Sequence, residues 1–484
     1  MSKGGINKKN IKYTTNLENN NISSNSNITS QNISTLKELW KIETSSPVSS
    51  DPIVYYRNVY FTDWEGNAYC ADKLTGKLLW KIKVYSPPTP LKCKIEKLKL
   101  PSIINKKHMQ SLTEICPPYS LSGFTGTGVI LGDTWYIASI GGKEGPLLEN
   151  QAPGRLYAIN IKTQEIIWNA KLTDYDYGGC LAKLLIYDEI IYAGISGIDE
   201  SADSFYQSMN LKFDPQTIGG VVAFDCLTGE EIWNKKTVGL LDGDNINAKG
   251  ASVLCSFALC PKYNMILFGT GNNYGEPASK SSDAIVSLDC KTGEVKWQNQ
   301  VVKGDAWLGA GPQVFSIRDN MGNIIPAVGI GSKNGYYYTF NRKNGELIWS
   351  TKVYTGDDSG PGIRGNAAVA NGYIYVWSNN GLNESMTVAC LDVNDGKTIW
   401  SKIQNSKGAI GAGLLCNDVF LVGDMLGNIV GYNINDGSSI WSIKVENASI
   451  ASSIIGNDNA IYIGVGIPNT FGGLPKKGVY AYSI

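Results

Sequence analysis

The chain has 484 residues, of which 43% are hydrophobic, so it is long and apolar enough to bury a large core. Lysine plus arginine and aspartate plus glutamate each total 43, and this zero net charge argues against nucleic acid or an anionic membrane as a partner. No apolar run in the sequence is long enough to span a bilayer as a helix.

The first stretch, residues 1–35, is rich in Asn and Ser and poor in apolar residues. Such a composition does not bury enough apolar surface to offset the entropy lost on ordering, so it predicts a disordered tail. The stretch also lacks the apolar segment of a secretory signal. We therefore expect an intracellular or particle-associated location.

From residue 36 onward, one short frame recurs eight times. Its clearest copy is CKTGEVKW (290–297), in which a turn-forming glycine precedes a tryptophan by four residues. The frames end at Trp40, Trp80, Trp168, Trp233, Trp297, Trp349, Trp400 and Trp441. The copies at Trp40 and Trp168 are the weakest. The shortest intervals give a unit of about 40 residues, and the longer ones are that unit plus loops.

Each unit reads as four short strands. Residues 367–403 alternate apolar and polar positions through three segments separated by Asn/Gly turns and end in a fourth segment. The glycine of each frame suits a tight hairpin, because it accepts positive φ. Four antiparallel strands in about 40 residues are typical of a propeller blade. We expect the tryptophan of the outer strand to wedge between neighbouring blades.

The two ends of the chain predict how the ring closes. The sequence after Trp441 supplies three strands without a tryptophan strand, and residues 35–43 supply that strand without its blade. Pairing them leaves no free sheet edge. The sequence thus predicts an all-β, eight-bladed propeller over residues 36–484, with a loop insertion at 86–120 whose role is either functional or decorative.

The ten cysteines include no C-x-x-C pair, and most read as small buried hydrophobes. Cys93 and Cys116 flank the insertion and would bridge it in an oxidising setting. The single histidine, His108, lies in the same insertion. One histidine argues against His-based zinc sites and against Ser-His-Asp or Cys-His catalysis.

The repeat resembles that of the pyrroloquinoline-quinone (PQQ) type propellers, in which tryptophans dock blade to blade. That group includes quinoprotein alcohol dehydrogenases, polyvinyl-alcohol dehydrogenases and the propeller lipoprotein of bacterial outer-membrane assembly. Residues 267–307, LFGTGNNYGEPASKSSDAIVSLDCKTGEVKWQNQVVKGDAW, resemble the polyvinyl-alcohol dehydrogenase branch in their GTGNNY, SDA and GDAW elements.

The resemblance implies a cofactor site. The asparagine of GTGN, here Asn272, would ligate Ca²⁺ beside the quinone. GISGIDES (194–201) would add Asp199, or Glu200 if the register slips by one. Lys333 would contact the quinone oxygens. Amide and carboxylate oxygens suit Ca²⁺, although each of these residues also has an ordinary structural alternative as a turn or surface residue.

The sequence departs from the family pattern at two positions. The catalytic base would be an aspartate directly after the tryptophan of GDAW, and that position is Leu308, which cannot accept a proton. The nearest acid is Asp305, which would face elsewhere on a regular strand. The tryptophan that stacks under the quinone corresponds to Leu254.

Two functions follow from this pattern. The first is a PQQ- and Ca²⁺-dependent dehydrogenase of small or polymeric alcohols, with redox activity impaired or lost at Leu308. The second is a non-catalytic propeller that binds protein partners as a scaffold or as a structural component of an assembly.

Overall fold

In the computed structural model, the described residues are 17–85, 123–143, 151–152, 154–199, 212, 214–302, 304, 307–354, 362–380, 385–468 and 473–484. Over these ranges the strands form eight antiparallel sheets and one small two-stranded sheet. The predicted all-β, eight-bladed propeller is confirmed. The insertion 86–120, with Cys93, Cys116 and His108, lies outside the described residues. No helix in the described ranges has the length and hydropathy of a membrane span.

The first four blades follow one another in chain order. Blade one contains the strands Ile53–Tyr55, Asn58–Thr62, Asn67–Asp72 and Leu78–Lys83. Blade two contains Val129–Leu131, Thr134–Ala138, Arg155–Asn160 and Ile166–Lys171. Blade three contains Gly178–Gly179, Leu185–Tyr187, Ile190–Gly197, Gly220–Asp225 and Glu231–Lys236. Blade four contains Ala258–Cys260, Met265–Gly269, Ala284–Asp289 and Val295–Gln300.

The remaining four blades complete the circle. Blade five contains Gln313–Arg318, Ile324–Gly331, Tyr336–Asn341 and Leu347–Lys352. Blade six contains Ala368–Ala370, Tyr373–Asn379, Ser385–Asp392 and Thr398–Asn405. Blade seven contains Leu414–Cys416, Val419–Gly423, Asn428–Asn433 and Ser439–Lys444. Blade eight contains Ile455–Asn457, Ala460–Val465, Gly478–Ser483 and Lys37–Glu43.

Short elements lie outside the blades. They are the strand pair Gly142–Lys143 and Gln151–Ala152 and the 3₁₀ turns Ile33–Thr35 and Pro261–Tyr263. Within a blade, the first strand lies at the centre of the ring, because first strands of successive blades contact each other. The last strand is outermost, and its side chains alternate between exposed and half-buried.

Ring closure occurs where the sequence predicts it. The strand Lys37–Glu43 pairs antiparallel with Gly478–Ser483, with Trp40 opposite Ala481. The Trp40 side chain is buried and donates from Nε1 to the carbonyl of Lys73 in blade one, at 2.9 Å. The two chain ends therefore share one sheet, and that sheet is locked to its neighbour.

Tryptophan and glycine of the repeat meet across six of the eight blade junctions. Gly293 in blade four has φ +72°, and a Cβ built on it would lie 2.7 Å from the ring of Trp233 in blade three. Trp233 Nε1 also donates to the Cys290 carbonyl, at 3.2 Å. Five other junctions repeat both features, through Trp40–Gly76, Trp168–Gly229, Trp297–Gly345, Trp349–Gly396 and Trp400–Gly437. Glycine is therefore needed for two reasons. The turn requires a positive φ, and the indole of the preceding blade leaves no room for a Cβ.

The equivalent turn of blade two differs. Gln164 stands at the glycine position of the weak copy KTQEIIW and adopts φ +65°. A residue with a side chain is strained in this left-handed region.

An N-terminal segment, defined as residues 17–35, is ordered against the inside of the ring. Its backbone carbonyls accept hydrogen bonds from the first strands of four successive blades. The pairs are Leu259 N to Leu17 O, Val314 N to Glu18 O, Val369 N to Asn20 O and Leu415 N to Asn21 O. Farther along, Ile28 and Ile33 are at most 1% exposed within the core between blades seven and eight.

The prediction of a disordered tail is therefore wrong for residues 17–35. Composition alone indicates too little apolar surface to fold. The segment does not need to fold by itself. Its backbone and side-chain amide groups pair with strand edges that the finished ring already presents. Ile28 and Ile33 add apolar contacts where the segment passes between blades seven and eight.

Substitutions at two turn positions should have opposite effects on stability. Gly293→Ala should lower the free energy of unfolding by about 2 kcal/mol, because its Cβ meets an indole at a strained φ. Gln164→Gly should raise it by about 0.5 kcal/mol by relieving strain. Urea unfolding of the two variants and the parent measures both. Equal effects of the same sign would contradict this explanation of the repeat.

Candidate functional site

A chamber of about 470 Å³ lies on the ring axis. Every blade lines it with residues that come just before its central strand, for example Asp51 in blade one, Trp307 in blade five and Ser453 in blade eight. Asn19 and Asn21 of the N-terminal segment line it as well. A concave site of this size accommodates a small molecule.

This chamber contains three of the residues that the sequence predicts for a cofactor site. They are Leu254, Asn272 and Lys333. Asn272 follows the second strand of blade four, and its carbonyl accepts a hydrogen bond from Ala251 at 2.8 Å. Lys333 follows the second strand of blade five, and its backbone N–H donates to Trp307 O at 2.9 Å. Strand ends of neighbouring blades thus bring together residues that are far apart in the sequence.

Asp199 lies directly behind the chamber wall. Its side chain is 1% exposed, and Oδ1 accepts hydrogen bonds from the backbone N–H groups of Gln216 and Thr217, at 2.9 and 3.2 Å. Oδ2 is buried and has no hydrogen-bond partner among the described residues. A buried carboxylate oxygen in this state is suited to a cation. Glu200, the alternative ligand, lies outside the described residues.

The chain segments that carry Asp199 and Asn272 are linked by hydrogen bonds through Ser252. Gly197, which lines the chamber two residues before Asp199, donates from its N–H to Ser252 Oγ at 3.3 Å. The Ser252 carbonyl in turn accepts a hydrogen bond from Gly271, the residue before Asn272, at 2.8 Å. Across the described residues, no three His, Cys, Asp or Glu side chains cluster as a metal site. A cation here would therefore depend on amide and carboxylate oxygens together.

An aromatic and cationic pair forms another part of the wall. The Arg364 guanidinium lies 5.3 Å from the centre of the Trp307 ring. That ring packs over Gly309, where a Cβ would lie 2.8 Å from Cε2. Trp307 Nε1 is buried without a hydrogen-bond partner in the described part of the chain. The indole and the guanidinium thus form a preformed aromatic–cation pair on the chamber wall.

The charge of the chamber favours an anion. Lys183, Lys333 and Arg364 line it, whereas Asp51 is the one acid among its described lining residues. A cavity lined by an excess of one charge attracts ligands of the other. Together with Trp307, the charges suit a flat, anionic ligand.

Parts of the chain match known β-propeller families. The family model described as the glucose/ethanol/alcohol dehydrogenase β-propeller domain matches residues 203–360. The model of the outer membrane protein assembly factor BamB matches residues 282–463. The chain is 24% identical over 375 residues to polyvinylalcohol dehydrogenase from a Pseudomonas species, covering 67% of this chain and 56% of that relative.

Two further similarities extend over more of the chain. It is 23% identical to quinoprotein alcohol dehydrogenase PedH of Pseudomonas putida, over 85% of this chain and 71% of the relative. The fold is that of a europium-containing methanol dehydrogenase, with a TM-score of 0.74, 14% identity and 97% of each chain covered. The chain is thus similar in sequence to quinoprotein alcohol dehydrogenases and shares their propeller fold.

Leu308, at the position where the resemblance places a catalytic base, does not line the chamber. Leu308 is completely buried between blades four and five, packed with Val328 and Ile330, and its N–H donates to Thr270 O at 3.1 Å. Its neighbours Trp307 and Gly309 line the chamber instead. The side chain at position 308 is therefore not an acid, and it also points away from the ligand space. Asp305 lies outside the described residues.

Several residues of this chamber were not identifiable from the sequence. Trp307 stood in the quoted GDAW element, but only the fold shows that its ring faces the axis. Arg364 and Asp51 carry no motif. Asn19 was assigned to a disordered tail. A local pattern does not show which loops converge on the axis.

Introducing the family's acid at position 308 should fail to repair the site. We expect Leu308→Asp to lower the free energy of unfolding by about 3 kcal/mol, because the carboxylate would enter an apolar core. Leu308→Met is the control and should cost less than about 1.5 kcal/mol. Thermal and urea unfolding measure the difference. A stable Leu308→Asp protein with gained alcohol oxidation would overturn the orientation described for this residue.

Proposed function

We propose that the chamber binds PQQ together with Ca²⁺, and that the chain is a PQQ-dependent alcohol dehydrogenase homologue with impaired redox activity. The observation that carries the proposal is the composition of the chamber, in which Trp307, Arg364 and Lys333 converge with Asn272. A flat, multiply anionic quinone matches an indole face bordered by cations. The substrate would be a small or polymeric alcohol, in keeping with the named activities of the relatives.

Each residue has a separate role in this proposal. Asn272 and Asp199 would hold the cation, because amide and buried carboxylate oxygens suit Ca²⁺. Lys333 would lie against the quinone oxygens, and Trp307 would provide the stacking surface that Leu254 cannot. When bound, the cofactor supplies a polarised carbonyl that accepts a hydride.

The activity is impaired because the usual proton acceptor is missing. Leu308 is apolar and faces the core between two blades. Positioned general bases contribute about 100-fold or more to proton-transfer steps. The chain would therefore retain cofactor binding better than it retains turnover.

A scaffold is the second candidate, and the outer rim favours it. The residue directly before the tryptophan of the outer strand is an exposed aliphatic in several blades. These are Leu79, Ile167, Ile232 and Ile399, at 45 to 51% exposure. A repeated apolar rim is a surface on which a protein partner can pack. This function needs no cofactor, so cofactor binding separates the two candidates.

Cofactor titration tests the first candidate. The protein should bind PQQ in the presence of Ca²⁺. Binding is measured by the quenching of tryptophan fluorescence and by calorimetry. Trp307→Leu should weaken binding by about tenfold, the equivalent of roughly 1.4 kcal/mol. Asn272→Ala should remove the dependence on Ca²⁺, because a ligand oxygen is lost.

Asn234→Ala is the matched control, since Asn234 lies exposed on the outer strand of blade three and away from the chamber. It should bind PQQ as the parent does. Failure of the parent to bind PQQ at micromolar concentrations would refute the proposal and leave the scaffold.

A further inference from the structure

Asp51 is held in place by the blades on both sides of its own. It precedes the central strand of blade one, which begins at Ile53. Its backbone N–H donates to Thr127 Oγ1 of blade two at 2.9 Å. Its Oδ1 accepts a hydrogen bond from Ser453 N of blade eight at 2.7 Å. The backbone and one carboxylate oxygen of Asp51 are thus fixed by neighbouring blades, and the residue lines the chamber.

Asp51 also borders a second space. A narrower cavity of about 190 Å³ lies beside the N-terminal segment and shares Asp51, Lys183 and Ser453 with the chamber. Its other lining residues include Ser23 and Asn25. The polar part of this mixed wall suits bridging water, so a proton on Asp51 would have a hydrated route away from the chamber.

The ring places Asp51 opposite the stacking surface. Asp51 belongs to blade one and Trp307 precedes the central strand of blade five. Blades one and five face each other across the axis of an eight-membered ring. Asp51 and Trp307 therefore line opposite walls of the chamber. Leu308, in contrast, points between blades.

We propose that Asp51 is the catalytic base of this chain and that, from another wall of the chamber, it partly replaces the acid that the family pattern places at position 308. The inference rests on the proposed function. In the oxidation, the alcohol O–H bond breaks and its proton passes to the Asp51 carboxylate. The carbon–hydrogen bond would break with its electron pair, a bound quinone would supply the hydride acceptor, and the alcohol would become a carbonyl compound. Protonated Asp51 then returns its proton to water in the adjoining cavity.

The test compares Asp51→Asn and Asp51→Glu with the parent protein, using PQQ, Ca²⁺ and a primary alcohol with an electron-accepting dye. Asp51→Asn should lower kcat by about 100-fold. It should also bind PQQ a few-fold more tightly, because it removes the one negative charge among the described residues of the chamber wall. Asp51→Glu should recover part of kcat, since it restores the carboxylate.

The outcomes separate the two proposals. Loss of PQQ binding and of folded protein in Asp51→Asn would indicate a structural role and overturn the inference, as would unchanged kcat in that variant. A parent protein that binds PQQ but oxidises no alcohol would overturn Asp51 as a base while leaving cofactor binding intact. A parent protein that binds no PQQ would refute the proposed function itself. Asp395→Asn, an exposed turn substitution, is the control and should change neither binding nor kcat.

Discussion

The architecture depends on the contact between an indole and a glycine of the next blade. The ring of Trp233 lies where a Cβ of Gly293 would be, and its N–H reaches a carbonyl of the same turn. This contact joins apolar packing to a directional hydrogen bond, so it fixes both the spacing and the rotation of adjacent blades. Repeated around the circle and completed by the Trp40 strand, it turns eight small sheets, each unable to bury both faces, into one body.

The chamber is a consequence of that ring. Because each blade presents its first strand to the axis, the residues just before the first strand and just after the second strand converge from the whole length of the chain. Trp307, Lys333 and Asn272 meet in this way without any local sequence contact. The strand edges facing the axis also receive the N-terminal segment, whose carbonyls pair with four successive blades. Ring geometry thus supplies both the walls of the site and the segment that borders it.

The sequence predicted the parts of this structure that repeat. Eight turn-and-tryptophan frames were sufficient for the blades and for closure through Trp40, because the physical requirement at each junction is local and nearly the same. Leu254, Asn272 and Lys333 were found through a resemblance, and they share one chamber. The orientation of Leu308 was not predictable, since it depends on how blades four and five pack. The order of residues 17–35 was not predictable either, because their partners exist only in the closed ring.

A crystal structure of the protein with PQQ and Ca²⁺ tests the central claim most directly, namely that this ring retains a cofactor chamber on its axis. The account predicts quinone density against the Trp307 ring, beside Lys333 and Arg364, with a cation contacting Asn272 and Asp199. Density for the quinone at any other surface, or a chamber that stays free of it at saturating concentrations, would contradict the account.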